Sequence, residues 1–431
     1  MGKFISLGEY NKLYKYIWIY LILRFINTYI FYNTLIFDQF KPNNALTLPD
    51  TPFITLQFDY IGIIIISTII IVIKKFFIKK ESKKEKEPLI INEENDINNE
   101  YGYEHRNIFL YVNILFLVIR DVCEQIIPKF KCTMFTYWIF EMFYYELYHS
   151  YLFKTKIYKH HIFSFIFILS TGSLFNSIII IINFANDTDD AQFFDNRKWL
   201  IPTSLIFYFL FRIFKVYTWG NIKYYFNKKM IEIYNFLLYY GIIGAIITTI
   251  GAIISTYVPC GDNTLPELSK NICPYKQTNQ TIYYFDSYKI YHEKLSEKYY
   301  TARIFFLIMR SILNFGSNYY IYVICEKLSP LYYICLHRLN ILVLKILDFI
   351  SYFINNNYNK TYTSIRIFET LTSVFYILGS IVYLEFIELN FCGLNFYTKR
   401  NIEKRANTDS FYSIYSLIDN KSELSLIEAE E

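Results

Sequence analysis

Apolar residues in this chain gather into ten runs divided by polar stretches, at 13–36, 58–73, 108–127, 132–153, 162–184, 199–219, 231–256, 302–325, 331–354 and 365–391. About 20 residues of helix cross the roughly 30 Å hydrocarbon core of a bilayer. The second run reaches that length only by extending through 74–78. In lipid every backbone polar group must be paired within its own element, so each run predicts a helix. The pattern predicts an all-α polytopic transmembrane helix bundle of about ten spans.

Two of the runs are written twice. YLILRFINTY at 20–29 returns as YFLFRIFKVY at 208–217, and LFLVIRDVCE at 115–124 returns as FFLIMRSILN at 305–314, with offsets of 188 and 190 residues. Apolar matches arise easily in such a chain, so the information lies in Arg24 over Arg212 and Arg120 over Arg310. The pairing predicts an internal duplication, 1–198 and 199–398, followed by a tail at 399–431. Five spans per copy is an odd number, so the second copy enters the membrane inverted, as in many transporters.

Composition agrees with a membrane protein. Of 431 residues 54% are hydrophobic and 21% aromatic, and the mean hydropathy is +0.21. No cleavable signal peptide is expected, because Arg24 interrupts the first run and no small-residue cleavage site follows it. The net charge of +5 is small, and its bases sit in particular loops, which points to orientation and not to nucleic acid. Seven lysines lie between Lys74 and Lys86; Lys154, Lys156, Lys159, Lys223, Lys228 and Lys229 follow spans 4 and 6. With both termini and Lys399, Arg400, Lys404 and Arg405, they fall on one side, the cytosol by the positive-inside rule. The N-x-S/T sites at Asn186, Asn279 and Asn359 fall on the other side, where glycosylation occurs, and Asn420 lies in the cytosolic tail. A secretory-pathway or plasma membrane is implied. The Lys/Glu/Asn-rich segment 74–107 is predicted to be a disordered linker. The outer loop 257–301 holds Cys260 and Cys273, a candidate disulfide. Cys123, Cys132, Cys325, Cys335 and Cys392 have no metal-ligand spacing and read as small packing residues.

A charge near the bilayer centre costs about 2.5–3.5 kcal/mol on insertion scales, so intramembrane ionisable residues are the candidate site. Arg24, Arg212, Arg120 and Arg310 are the candidate solute-binding cations, with Asn314 beside the last. The ordinary alternative is that each locks to an acidic neighbour; Glu124 lies one turn from Arg120 on the same face, whereas Arg24 and Arg212 have no such neighbour in their own helices. Asp121, Glu124 and Glu141, with Glu146, are candidate counter-ions or proton carriers. Glu385 and Glu388 read as interfacial, His160 and His161 as solvated, and His337 with Arg338 as a weaker candidate. Small residues recur at helical spacing in GIIGAIITTIGAIIS from Gly241 and predict close helix packing. Polar patches at 170–177 and 314–318 suit either locally broken helices or interhelical contacts. No nucleophile elbow, HExxH, P-loop or dinucleotide fingerprint occurs, so neither an enzyme nor a cofactor or metal is expected.

Ten spans, cytosolic termini, a five-plus-five inverted duplication and the polar break EKLSP at 326–330 resemble the drug/metabolite transporter superfamily, which includes the nucleotide-sugar transporters. The resemblance implies a secondary transporter working by alternating access, with a small anionic solute and membrane lipid as its partners. The segment YLEFIELNFCGLNFYTKRNIEKR at 383–405 also resembles multispan proteins of lower eukaryotes with no assigned function. A second expectation, of another class, is a non-transporting receptor or scaffold that uses loop 257–301 for recognition and the basic loop for anionic lipid.

Overall fold

The computed structural model describes residues 15–27, 52–81, 100–126, 141–153, 157–186, 200–227, 231–260, 282–296, 300–328, 330–354 and 360–385, with isolated positions at 273–276 and 387–405; at several helix ends it describes only the backbone. Asn279, Asn359, Asn420, Glu388 and Cys132 lie outside the described residues, as do 82–99 and the tail beyond 405.

The described residues form eleven helices and one small hairpin. Helix α1 is 15–27. It is followed by α2 (Pro52–Glu81), α3 (Glu100–Ile126), α4 (Glu141–Phe153), α5 (Lys159–Ala185), α6 (Leu200–Asn227) and α7 (Ile233–Tyr257). After the strands β1 (Tyr275–Lys276) and β2 (Tyr283–Tyr284) come α8 (Tyr288–Ser296), α9 (Tyr300–Lys327), α10 (Pro330–Ile354) and α11 (Lys360–Tyr383). The hairpin is antiparallel, with Tyr275 opposite Tyr284.

Polarity is distributed inside out. Ile61, Ile65, Ile69 and Phe76 of α2, Ile162, Ile166 and Ile181 of α5, and Ile242, Ile246, Ile250 and Ile254 of α7 are exposed, while Asp59, Asn113, Arg120, Glu141, Glu146, Lys215 and Arg338 are buried. Apolar surface on this scale is costly in water and ordinary against lipid. Among the described residues, five helices are long and apolar enough to cross a membrane: Phe53–Phe77, Lys159–Ala185, Ile233–Tyr257, Pro330–Leu347 and Thr363–Tyr383. They coincide with five of the predicted runs. Helices α3, α6 and α9 are as long, at 27 or 28 residues, but their Arg, Lys, Tyr and Asn lower their hydropathy.

The small-residue stripe of α7 brings it against α2. A Cβ on Gly241 would lie 3.2 Å from the Tyr60 carbonyl oxygen, and one on Gly251 would lie 2.6 Å from Phe53 Cδ1. Gly244 lies under the ring of Tyr60. The rising numbers on one helix meet falling numbers on the other, so α2 and α7 are antiparallel. Gln57 Nε2 donates to Thr249 Oγ1 at 2.8 Å within this contact. Helices α5 and α11 form a second antiparallel pair, with Gly379 against Ile168 and Phe368 against Phe175.

The loop after α7 folds back on both helices. Asp286 Oδ2 accepts from the backbone N–H groups of Phe53 at 2.9 Å and Ile54 at 3.2 Å, so a residue more than 230 positions away caps the start of α2. That supplies partners for donors which a helix start leaves orphaned. Cys260 and Cys273 are joined as a disulfide, with Cα atoms 6.4 Å apart.

Two local expectations are corrected and one pair of alternatives is decided. Helices α5 and α9 run unbroken through 170–177 and 314–318, and within α5 the Thr171 and Ser177 hydroxyls donate to the Phe167 and Ser173 carbonyls of their own helix. The last helix ends at Tyr383 and not near 391, since Glu385 takes a positive φ of 61° that no helix continues. His160 and His161 are covered, not solvated, because the end of α11 packs over the first turn of α5. The EKLSP segment is a true break, with α9 ending at Lys327 and Pro330 opening α10, as proline suits a first helical position.

Candidate functional site

Glu141, 1% exposed, is the first described residue of α4. Arg212 and Lys215 stand three residues apart on α6 and therefore share a face. Arg212 donates to Glu141 Oε2 at 3.0 Å and Arg338 of α10 donates to the same oxygen at 2.9 Å. Lys215 Nζ lies 3.1 Å from the other oxygen, Oε1. One carboxylate thus holds three cations from two other helices. Lys215 Nζ also lies 3.0 Å from Glu124 Oε1 on α3, which carries the network into a fourth helix.

On α3 the expected partnership is rearranged. Arg120 bonds through its Nε to Asp121 Oδ1 at 3.0 Å, and not to Glu124, because Lys215 approaches Glu124 from α6. The Arg120 guanidinium lies 4.8 Å from the ring centre of Trp219, a cation–π contact that favours a charge held away from water. Asp121 Oδ2 accepts from Tyr60 of α2 at 3.0 Å and from Tyr240 of α7. The acidic groups therefore serve as counter-ions, and the tyrosines satisfy the lone pairs left over.

Arg310 pairs with Asp59 of α2 at 3.0 Å. Arg24 lies within Coulombic reach of Asp59, Tyr20, Tyr333 and His337. Asn314 is half-buried on α9, four residues after Arg310. The structure thus joins Arg212, Lys215, Arg338, Glu141 and Glu124 in one network, holds Arg120 and Asp121 as a separate pair, and sets Arg310 against α2. Glu146 faces elsewhere, toward His161 and Tyr383. The weaker candidates His337 and Arg338 prove central: Arg338 bonds Glu141, and His337 lies within Coulombic reach of Lys215 and Arg24. Sequence reasoning missed Asp59 and Lys215. Their signal was available, since each is a charge inside an apolar run, Asp59 alone in its run and Lys215 three residues from Arg212.

No protein-family model matches this chain, and no curated protein matches its sequence. What the site can do rests on its own chemistry. Arg212, Arg338 and Lys215 form a planar-fork and point-charge cradle of the kind that takes carboxylate or phosphate oxygens. An apolar hollow of about 340 Å³ lies between α4 and α5, lined by Met142, Phe143, Phe165, Ile166 and Leu169 among others, with no charged side chain among the described residues of its wall. Its lining suits an acyl chain and not an anion.

Among the other candidates, Asn186 is exposed at the C-cap of α5.

Proposed function

We propose that the chain is a ten-span secondary transporter that moves a small anionic solute by alternating access, with the cradle at Glu141 as its central site. The observation that carries the reading is the meeting of Arg212, Lys215 and Arg338 on one buried carboxylate. In this reading Glu141 holds the place of the solute anion, which exchanges with it for the same donors. In the same reading Arg24, Arg120 and Arg310 supply further cationic contacts to the solute, and Asn314 supplies a neutral polar one.

Helix packing supports a five-plus-five inverted repeat. Helices α2 and α7, and α5 and α11, are the counterparts the repeat relates, and each pair packs together. The contact of α2 with α9 has its counterpart in α7 with α3, and that of α2 with α3 in α7 with α9. Such reciprocity is what a two-fold relation between halves produces. In this orientation both termini face the cytosol.

One observation favours the receptor or scaffold reading: the site charges are closed in helix-to-helix pairs, and the outer loop is fastened by the disulfide and the Asp286 cap. Proteoliposomes separate the two. Wild-type chain is expected to exchange one class among labelled nucleotide sugars, sugar phosphates and dicarboxylates. Arg212→Gln and Arg338→Gln are expected to cut exchange more than tenfold in protein that remains folded. Absence of exchange across the panel, or normal exchange by both variants, would remove the transporter reading.

A further inference from the structure

The first turn of α5 and the turn after α11 bring two imidazoles and a carboxylate together away from the arginine network. His160 Nε2 lies 3.3 Å from Glu385 Oε1, and His160 is only 3% exposed. The ligand atoms of His160, His161 and Glu385 lie within 4.8 Å of one another. His161 Nδ1 lies 3.3 Å from Glu146 Oε1. Neither ring nitrogen of His160 makes a hydrogen bond among the described residues.

The 3.3 Å between His160 Nε2 and Glu385 Oε1 matches the edge of a coordination tetrahedron. Donors about 2.0–2.1 Å from Zn²⁺ are about 3.3–3.4 Å from one another. We propose that His160, His161 and Glu385 bind one divalent transition-metal ion of the Zn²⁺ class. Two imidazoles and a carboxylate are the donors such ions select, whereas Mg²⁺ and Ca²⁺ prefer all-oxygen sites. Glu146, beside His161 Nδ1, takes the place of the carboxylate that commonly orients a ligating imidazole, and Tyr383 hydroxyl donates to Glu146 in turn. Tyr383 also stacks on His161 at 4.4 Å between ring centres, and Tyr158 stacks parallel to His160 at 5.9 Å. The rings are held in place before any ion arrives.

The backbone adds a separate observation. Glu385 has φ 61°, the left-handed conformation in which a helix commonly ends on glycine. A glutamate there bears strain that glycine avoids, and such strain gathers at functional positions. The bound ion ties the start of α5 to the chain leaving α11. This assignment stands whether or not the chain transports a solute.

The test uses the full chain, purified without a polyhistidine tag and stripped with chelator, and reads Co²⁺ visible absorption, Zn²⁺ competition and melting temperature. Saturation at about one ion per chain, with a raised melting temperature, is expected. His160→Gln/His161→Gln is expected to lose both effects. Glu146→Gln should weaken binding about 10–100-fold. Glu385→Gly keeps the assignment falsifiable if the histidine variant fails to fold. It should bind at least about tenfold more weakly, while its metal-free form melts at or above the wild-type temperature because glycine relaxes the turn. No binding at about 100 μM Zn²⁺, or wild-type binding by the variants, would overturn the site. So would a metal-free Glu385→Gly protein that melts well below wild type, since Glu385 would then be held for its ion pair with His160.

Discussion

Glu141 is where a single side chain has the most consequence. Removing one member of a buried ion pair costs about 3–5 kcal/mol, because the partner charge is left without compensation; here three cations would be left. Glu141→Gln keeps size and shape and removes only the charge. It is expected to lower stability by about 3–5 kcal/mol, and Lys215→Met added to it should recover part of that loss, which thermal melts of single and double variants in detergent would measure. Equal melting of Glu141→Gln and wild type would mean that the cations do not depend on this carboxylate. The sequence identified most members of the cluster, because a charge inside an apolar run stands out. It did not identify their partners, since Arg212 and Glu141 are 71 residues apart and meet only through the packing of α4 on α6. His160 and His161 were misread for a related reason: their local surroundings are basic and polar, and what covers them is contributed by α11, more than 200 residues later.

At the scale of elements the legible part was again the local part. The glycine spacing of α7 announced a close helix contact, and the structure supplies α2 as the neighbour. Small residues substitute packing for the hydrophobic drive that lipid removes. Gly244→Leu forces a side chain into the ring of Tyr60 and is expected to destabilise the bundle by about 1–3 kcal/mol. Ile246→Ala, on the exposed face of the same helix, should stay within about 0.5 kcal/mol of wild type. Paired melting curves decide the matter, and equal shifts for the two would show that α7 does not use its small face against α2. Serine, threonine and asparagine in α5 and α9 were ambiguous because one composition serves a broken helix and an intact one. In α5, Thr171 donates its hydroxyl to the Phe167 carbonyl four residues back, which satisfies the hydroxyl without a break in the helix.

Across the whole molecule, helix directions constrain which ends share a side. Helices α2 and α7 are antiparallel, so the Asp286 cap at the start of α2 and the disulfide after α7 lie at one end. The pair Lys74–Glu232, 2.7 Å apart, marks the other. Lys223 Nζ donates to the Leu328 carbonyl at 3.1 Å, so the end of α6 and the break between α9 and α10 also coincide. In the proposed topology the lysine ends face the cytosol and Asn186 stands with the disulfide loop outside. That arrangement makes asymmetric demands on chemistry: Asn186 and Asn279 should carry glycans, Asn420 should carry none, and Cys260 and Cys273 should become labelled from outside only after reduction. Glycosidase gel shifts of single Asn→Gln variants, with an impermeant thiol reagent on intact membranes, read both predictions. A glycan on Asn420, or labelling of Cys260 only after the membrane is opened, would invert the orientation. The helix contacts would survive such a result, because they depend on packing and not on which side is the cytosol.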